Sequence, residues 1–329
     1  MSHPLNPYPE EDMEFILGKS SHHFKKLDGA SILLTGGTGF VGSWILQFLM
    51  YASNNLRIDI NLDVVTRKSI LIPSRNFSNV RFIQHDMRLP IDFDDKDYSH
   101  AIFASTPSNP TTGGLNRNLV LDSTILGTKN LVEFLQRRDK EVRYLNTSSG
   151  AVKKVRKLPL SEGLDINDIY AMAKSEAEKF LMEAAANTRM NICSPRLYSF
   201  AGPGIATNAH FAIGNFIRDA IEGRDVVIKG NPETVRSYLH PIDMTIQLLD
   251  CLLGENTSIF PDIGSFNPIK IFDLAKLISE SVGNGNVVII DNSQLPTSYT
   301  PDFLTSSLNH QHISLEETIT RWRTWLLLT

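Results

Sequence analysis

The stretch SILLTGGTGFVGSW, residues 31–44, decides the fold of this chain. A short apolar run ends in glycines, and an apolar helical pattern follows them at once. Gly36 permits a tight turn, Gly39 lets the backbone approach a pyrophosphate, and Gly42 lets helix and strand pack closely. The free N–H groups at the helix start then point at the phosphates. We therefore predict a dinucleotide-binding turn rather than a strand–helix connection without a ligand. The predicted cofactor contacts of this turn are Gly36, Thr38, Gly39, Phe40, Val41 and Gly42.

Strands and helices alternate along the chain beyond this turn. The further strand patterns are INLDVVTR (60–67), VRFIQHDM (80–87), HAIFAST (100–106), VRYLNTSS (142–149) and MNICSPRLYS (190–199). The long helical patterns are NLVLDSTILGTKNLVEFLQRR (118–138) and DIYAMAKSEAEKFLMEAAAN (168–187). This alternation predicts an α/β fold with a Rossmann-type, doubly wound parallel sheet.

The pattern also suggests how the chain divides. We expect an N-terminal arm at residues 1–29, an NAD(P)-binding Rossmann domain at residues 30–200, and a smaller C-terminal α/β lobe at residues 201–329 that mainly binds substrate. A strand near residues 258–264 is expected to return to the Rossmann domain. In the arm, Phe15, Ile16 and Leu27 are predicted to dock a short amphipathic helix onto the body.

Composition and charge exclude several classes of function. The chain has 329 residues, is 42% apolar and carries a net charge of −4, so neither nucleic acid nor an anionic membrane is expected as a partner. Cys193 and Cys251 stand outside any CxxC or Cys/His cluster, so no metal site is predicted. Two cysteines in a chain of this size fit a reducing compartment, and no secretory signal or membrane span is seen. We predict a cytoplasmic protein.

The stretch IYAMAK, residues 169–174, carries the predicted chemistry. Tyr170 and Lys174 are four residues apart on a helix and share one face, and Ser149 precedes them at the carboxyl end of the fifth strand. A free tyrosine is a poor base at neutral pH because its pKa is near ~10. A neighbouring ammonium stabilises the phenolate and lowers that pKa. We predict Ser149, Tyr170 and Lys174 as the catalytic group, and Tyr170 and Lys174 also as cofactor contacts. The alternative is a packing ring and a solvated charge.

The end of the second strand bears on the choice of cofactor. An acidic residue there binds the ribose of NAD, whereas a basic one accommodates the 2′-phosphate of NADP. The strand ends in DVVTRKS, with Arg67 followed by Lys68, and Asp63 comes too early to reach the ribose. The sequence therefore favours NADP(H), with NAD(H) still possible and with a solvated Arg67 as the alternative.

These motifs resemble the extended short-chain dehydrogenase/reductases that act on nucleotide sugars. The resemblance covers nearly the whole chain from Ala30. It rests on TGGTGFVG (35–42), TSSGAV (147–152), YAMAK (170–174), PRLYSFAGPG (195–204) and VRSYLHPID (235–243). It implies a bound NAD(P), a nucleoside-diphosphate sugar as substrate, Tyr170 as acid/base, and a homodimer formed by helices near 116–137 and 168–187. The further cofactor contacts that it implies are Asp86, Met87, Ala104, Ser105 and Thr106. The implied substrate contacts are Ser148, Ser199, His210, Phe211, Ala212 and Arg236.

The chain departs from the family's pattern at several positions. Ser199 stands where most relatives have Asn, and AVKKVRK (151–157) replaces the usual VYG. Many relatives carry a second phosphate-binding arginine near the C-terminal Pro–Asp, but no Arg or Lys lies between Lys276 and Arg321. The positions after Ser149 are Gly and Ala, whereas dehydratases and the related decarboxylases have a carboxylate there. The prediction is a 4-keto-sugar reductase, with an epimerase as the alternative and a 4,6-dehydratase or a non-catalytic NADP-binding protein as weaker ones.

Overall fold

A computed structural model gives the three-dimensional structure. It describes residues 7–67, 79–93, 96–107, 117–157, 164–208, 211–254, 259–283, 285–290, 293–302 and 311–329. The strands are β1 (Ala30–Thr35), β2 (Ile60–Thr66), β3 (Val80–Gln84), β4 (His100–Phe103), β5 (Val142–Asn146), β6 (Ser148–Ser149), β7 (Met190–Cys193), β8 (Arg196–Leu197), β9 (Ser199–Phe200), β10 (Val226–Ile228), β11 (Val235–Leu239), β12 (Asp262–Ile263), β13 (Pro268–Lys270), β14 (Val287–Ile289) and β15 (Ser298–Tyr299). The helices are α1 (Glu10–Phe24), α2 (Phe40–Leu56), α3 (Arg117–Gln136), α4 (Ile166–Asn187), α5 (Ala212–Ile221), α6 (Pro241–Leu253), α7 (Ile271–Val282) and α8 (Leu315–Leu328), with 3₁₀ helices at Lys25–Leu27 and Gly150–Lys157.

The central sheet is six-stranded and parallel throughout, in the order β3-β2-β1-β4-β5-β7. The chain first builds outward from β1 to β3 and then crosses back to β4, so the strand order reverses between β1 and β4. Ligands of such sheets bind in the crevice at this reversal, beyond the carboxyl ends of the strands. The predicted Rossmann-type fold is confirmed.

The two faces of the sheet bury alternate residues of each strand, because successive side chains point to opposite sides. Ile32 and Leu34 of β1 lie in the apolar cluster that α1, α2 and α6 complete. Leu33 of β1 and Val65 of β2 lie in a second cluster with α3 and α4. Both faces are therefore covered by helices, which explains why the strands read as nearly continuous apolar runs.

The N-terminal segment is built into the body. Ile16 and Leu27 are fully buried, and Phe15 packs at the edge of the same cluster. The buried carboxylate of Asp12 accepts a hydrogen bond of 2.6 Å from Arg321 of α8. The segment therefore links the Rossmann domain to the C-terminal helix.

The C-terminal lobe has an apolar cluster of its own, formed by α5, α7 and α8 around β10. In this lobe β10 pairs with β14, and β11 pairs with β9, β13 and β15. α6 differs from the predicted division, because its apolar side chains pack with the Rossmann cluster although it lies within residues 201–329.

A strand lies within the predicted range 258–264 and pairs with residues of the predicted Rossmann domain. Residue 258 is outside the described residues, and β12 is formed by Asp262 and Ile263. β12 pairs with β8, and β8 pairs with β6, in a separate three-stranded sheet. Just before β8, the Ser194 N–H donates to the Ile259 carbonyl at 2.6 Å and joins the segment before β12 to the end of β7.

Candidate active site

The glycine turn lies at the point where the sheet reverses. Gly36 has a φ of +74°, and a Cβ built there would lie 2.4 Å from the Ala104 carbonyl oxygen. A Cβ at Gly42 would lie 2.2 Å from the Gly36 carbonyl oxygen, so helix and turn touch backbone to backbone. Gly39 is the N-cap of α2 and has no side-chain cap. The helix start can therefore present its N–H groups to a ligand, since no side chain satisfies them.

The ends of β1 and β4 are tied together beside this turn. Ala104 donates its N–H to the Thr35 carbonyl at 3.1 Å, and the hydroxyls of Thr35 and Ser105 are 3.0 Å apart. Thr106 accepts a hydrogen bond of 3.0 Å from the Lys174 ammonium. The segment 104–106, predicted to line the cofactor, thus connects the glycine turn to the helix of the predicted catalytic pair.

The predicted adenosine end has charged groups at the ends of β2 and β3. Arg67 follows β2 and is exposed, whereas Lys68 lies outside the described residues. Asp86 follows β3 and accepts hydrogen bonds from Arg88, and these, together with the charges of Arg88 and Arg67, hold the pKa of Asp86 below its usual range. Met87 is buried in the core against α3, and its carbonyl accepts a hydrogen bond of 2.8 Å from Asn130 of that helix.

Asp63 is separated from this end of the site. Its side chain is buried, and it accepts hydrogen bonds from Arg81 and from Tyr98, the latter at 2.6 Å. Burial raises the pKa of Asp63, but the hydrogen bonds from Arg81 and Tyr98 and the charge of Lys96 outweigh it, so the pKa lies below the ordinary value. The Asp63 carboxylate therefore takes part in a structural ion pair with Arg81 and Lys96.

Lys174 is held in place by the strand ends. Its side chain is 2% exposed, and its ammonium donates to Thr106 Oγ1 at 3.0 Å and to the Thr147 carbonyl at 2.5 Å. Burial lowers the pKa of Lys174 to about 7, against the opposing charge of Glu178. The helix that carries it begins at a well-formed cap, because Asp165 accepts hydrogen bonds from the N–H groups of Asn167 and Asp168.

Tyr170 lies one turn before Lys174 on α4. Its ring centroid is 5.8 Å from the Lys174 ammonium nitrogen. Burial raises the pKa of Tyr170 above its ordinary value, as does the nearby Tyr299, while the nearby Ser149 hydroxyl lowers it. The structure thus brings the three predicted catalytic side chains together. A dinucleotide bound in the crevice would place its own charges beside Tyr170.

A second tyrosine, Tyr299, reaches the same serine from the C-terminal lobe. Its hydroxyl lies 3.2 Å from Ser149 Oγ and 3.3 Å from the Leu197 carbonyl oxygen. The sequence reasoning missed it. The signal available in the sequence is its position: Tyr299 lies just before Pro301–Asp302, the pair near which many relatives carry a second arginine.

Ser148 lies apart from the other predicted substrate contacts. Its hydroxyl donates at 2.6 Å to Glu178, which is also paired with Arg196 at 2.6 Å. Side chains of consecutive strand residues point in opposite directions, so Ser149 faces the crevice and Ser148 faces the interior. The structure corrects the prediction that Ser148 contacts substrate.

The remaining predicted substrate contacts lie on the C-terminal lobe and its junction. Arg236 of β11 is directly paired with Tyr299 of β15, and its guanidinium donates to Thr297 Oγ1 at 3.0 Å and to the Val235 carbonyl at 2.8 Å. Ser199 lies on β9 and is half-buried. Phe211, at the N-cap of α5, is 40% exposed, and Ala212 begins that helix. His210 lies outside the described residues.

The residues of this site fit a nicotinamide dinucleotide. At Gly36 and Gly42 a Cβ would clash with backbone atoms, so the glycines keep the turn tight, and α2 starts there without a side-chain cap. Segment 104–106, Tyr170 and Lys174 would hold the nicotinamide end. Among the described residues, no group of three or more His, Cys, Asp or Glu side chains is placed to bind a metal ion.

Most of the chain matches the sequence model of one protein family. The model of the NAD dependent epimerase/dehydratase family matches residues 32–260. The chain belongs to this family. This epimerase/dehydratase family member is 23% identical to UDP-glucuronic acid decarboxylase 2 of Arabidopsis thaliana over 283 residues, which cover 82% of the chain and 61% of that protein. The chain thus spans about six-tenths of the length of the curated relatives it matches first.

Solved structures of other proteins share the fold. One is the UDP-N-acetylglucosamine 4-epimerase of Methanobrevibacter ruminantium M1 in complex with UDP-N-acetylmuramic acid, with a TM-score of 0.75, 18% identity, and coverage of 91% of this chain and 98% of that one. Another is dTDP-glucose 4,6-dehydratase of Bacillus anthracis in complex with NAD, with a TM-score of 0.71, 14% identity, and coverage of 91% and 97%. No helix in the described part of the family member has the length and apolarity to cross a membrane.

Proposed function

We propose that this protein is an NADP(H)-dependent oxidoreductase that acts at a carbonyl or hydroxyl carbon of a nucleoside-diphosphate sugar, in the direction of keto-sugar reduction. The observation that carries the proposal is the cluster of Tyr170, Ser149 and Lys174 at the carboxyl edge of the sheet. The names of the relatives, which refer to nucleotide sugars, support the substrate class.

The proposed mechanism assigns one role to each side chain. A nicotinamide held by segment 104–106, Tyr170 and Lys174 would supply the hydride for the carbonyl carbon. Tyr170 donates its phenol proton to the oxygen that gains negative charge. Lys174, one helical turn away, stabilises the phenolate that remains. Ser149, whose hydroxyl lies near the Tyr170 phenol, orients the reacting oxygen by a hydrogen bond.

Carboxylate chemistry is disfavoured at this site, which argues against a dehydratase. The carboxylate of Glu178 is engaged by Arg196 and Ser148. The carboxylate of Asp262 is fully buried and is engaged by Lys153 and Tyr198. A dehydratase needs a carboxylic group that can give and take the proton of the leaving water, whereas Glu178 is held by Arg196 and Ser148, and Asp262 is fully buried with its Oδ2 held by Lys153 and Tyr198.

An enzyme assay separates this proposal from the alternatives. The full chain, loaded with NADPH, is mixed with a panel of nucleoside-diphosphate keto-sugars while NADPH fluorescence is followed. Stoichiometric loss of the reduced cofactor is the expected result. Interconversion of two sugars without net loss would identify an epimerase, and NADPH binding without either change would identify a non-catalytic binder; both results contradict the reductase proposal.

The proposed preference for NADP(H) rests on Arg67. It is exposed at the end of β2, where a guanidinium suits a 2′-phosphate, and the acidic Asp63 is occupied elsewhere. We expect Arg67→Ala to raise the Kd of NADPH about 10-fold to 100-fold and that of NADH less than about 3-fold, since a charge-assisted pair contributes roughly 1.5–3 kcal/mol. Arg189→Ala is the control, because Arg189 is an exposed arginine paired with Glu141. Equal losses for both cofactors would disprove the role of Arg67.

We also infer a homodimer through α3 and α4 and a cytoplasmic location. Leu126 of α3 and Met172 and Met182 of α4 are apolar side chains exposed on these helices. Cys193 and Cys251 are buried and form no disulfide, which suits a reducing compartment. Light scattering of the purified chain tests the first inference, because Met182→Glu should then yield monomers, and cell fractionation tests the second.

A further inference from the structure

The 3₁₀ helix Gly150–Lys157 is packed against the sugar end of the candidate site. A Cβ at Gly150 would lie 2.5 Å from the ring of Tyr198, so the helix begins in direct contact with that ring. The N–H of Ala151 donates to Ser149 Oγ at 3.2 Å. The lysines that follow in this helix therefore start next to the proposed reacting end.

Two consecutive lysines of this helix use their charges differently. Lys153 donates to Asp262 Oδ2 at 2.5 Å, and because Asp262 is fully buried, the charge of Lys153 is neutralised within the protein. Lys154 is exposed, and its ammonium nitrogen lies 6.0 Å from the ring centroid of Tyr299. No carboxylate of the described residues is paired with the Lys154 ammonium. The charge of Lys154 is therefore available to a ligand.

Arg236 places a second cation beside the same tyrosine. Arg236 of β11 and Tyr299 of β15 are directly paired in register, so their side chains project from the same face of the sheet. Arg236 Nη1 donates to the carbonyls of Val235 and Thr297, and Nη2 donates to Thr297 Oγ1. Within the described part of the chain, the Nε–H, the second Nη2–H and the guanidinium charge have no protein partner. One edge of the guanidinium thus remains open to an anion.

The surroundings of Tyr299 therefore carry an excess of positive charge. Lys154 approaches the ring from the 3₁₀ helix, and Arg236 flanks it on the neighbouring strand. The buried carboxylate nearby, Asp262, is already paired with Lys153 and offsets neither of these charges. Two cations beside a neutral phenol favour an anionic group between them, because such a group lowers their mutual repulsion.

We propose that Lys154 is a specificity-determining residue that, together with Arg236, binds an anionic oxygen group of the nucleotide sugar beside Tyr299. The proposal rests on the proposed function and deepens it. Two groups of such a substrate qualify, the phosphate attached to the sugar and a carboxylate carried by the sugar, and both accept charge-assisted hydrogen bonds from an ammonium. The Tyr299 hydroxyl lies 3.2 Å from Ser149 Oγ, so this contact belongs to the sugar end of the substrate and not to its base.

Binding measured without turnover tests the proposal and separates the two groups. The full chain, saturated with NADP⁺, is titrated by calorimetry with uridine monophosphate (UMP), UDP, UDP-glucose and UDP-glucuronic acid. If Lys154 binds the sugar-side phosphate, Lys154→Ala should raise the Kd of UDP about 10-fold and leave that of UMP within about 2-fold. If Lys154 binds a sugar carboxylate, the variant should raise the Kd of UDP-glucuronic acid about 10-fold and leave that of UDP-glucose within about 2-fold. Equal changes for all four probes, or none, would overturn the proposal.

Two further variants serve as controls for charge and for position. Lys154→Arg keeps the cation and should bind every probe within about 3-fold of the original chain, so a loss as large as that of Lys154→Ala would contradict a role for the charge. Lys19→Ala is the matched control, because Lys19 is an exposed lysine of α1 whose ammonium nitrogen lies 5.3 Å from the ring centroid of Phe15. An equal loss in Lys19→Ala would show a general effect of net charge and overturn the proposal.

The same titrations distinguish a failure of this proposal from a failure of the proposed function. If the unaltered chain binds none of the four probes and none of their thymidine counterparts, the proposed function itself is contradicted. If the chain binds them and Lys154→Ala changes no ratio of affinities, the proposed function stands and the role of Lys154 is disproved. The unfolding free energy of Lys154→Ala should match that of the original chain, since Lys154 is exposed.

Discussion

The two ends of the candidate site are constructed differently. The cofactor end is formed by one continuous stretch, residues 31–44, and its critical contacts join backbone atoms of Gly36, Gly42 and Ala104. The sugar end is formed by side chains from strands that are far apart in sequence, such as Ser149 of β6 and Tyr299 of β15. The cofactor end is therefore limited by steric contacts and tolerates few substitutions. The sugar end depends on side-chain chemistry, so substitutions there can alter the activity without loss of the fold.

The sharpest difference between the ends should appear in stability. Gly42→Ala places a Cβ 2.2 Å from a backbone carbonyl oxygen that has no room to move, so we expect a loss of roughly 3–5 kcal/mol or failure to fold. Gly18→Ala in α1 is the control, because nothing lies within 4 Å of its Cβ and alanine favours the helix by about 1 kcal/mol. Thermal and urea unfolding measure both. A Gly42→Ala protein within about 1 kcal/mol of the original would remove the contrast.

At the sugar end, Tyr170→Phe should affect rate and leave the fold unchanged. Without the phenol no proton reaches the reacting oxygen, and general acid catalysis contributes about 10²–10⁴-fold. We expect kcat to fall by about 1000-fold, with the Kd of NADPH and the unfolding free energy nearly unchanged. Stopped-flow kinetics measure the change in kcat, and equilibrium fluorescence measures the Kd of NADPH. Turnover above about a tenth of the original would show that another group supplies the proton.

Arg236 tests whether the sugar end binds a diphosphate. Arg236→Lys keeps the charge but loses the planar fork, so we expect the KM for the sugar nucleotide to rise about 10-fold with kcat little changed. Arg189→Ala, which removes an exposed arginine elsewhere, serves as control. A KM that is unchanged in Arg236→Lys and in Arg236→Ala would place the diphosphate elsewhere.

The smallest expected effect is the pH dependence of stability caused by Lys174. Its pKa is lowered to about 7 by burial, whereas in the unfolded chain it is near ~10.4. Between these values the unfolded chain binds more protons, so stability rises with pH in this window, by at most ~1.4 kcal/mol per unit. Compared with Lys174→Met, the original chain should gain about 1 kcal/mol from pH 7 to pH 8 in urea unfolding. A constant difference would mean that Lys174 keeps its proton in the folded state.

The site residues that the sequence places lie within one element, whereas those that it misplaces or misses depend on distant segments. The glycine turn and the Tyr170–Lys174 pair depend on spacing within one element, and the structure gives both the expected surroundings. Ser148 was misplaced because the pattern TSS shows two neighbouring hydroxyls and not which of them faces the crevice. Tyr299 was missed because its partner Ser149 is 150 positions away in the chain.

The sequence by itself determined the parallel sheet, the glycine turn at its reversal and the shared helix face of Tyr170 and Lys174. Each of these follows from periodicity and spacing over a few tens of residues, where the backbone geometry of helix and strand dictates which side chains are neighbours. Only the tertiary structure decided that β12 joins a separate sheet and that Tyr299 reaches Ser149. Such contacts join distant segments, and packing and hydrogen bonding of the whole chain select them from many pairings that local pattern leaves equal.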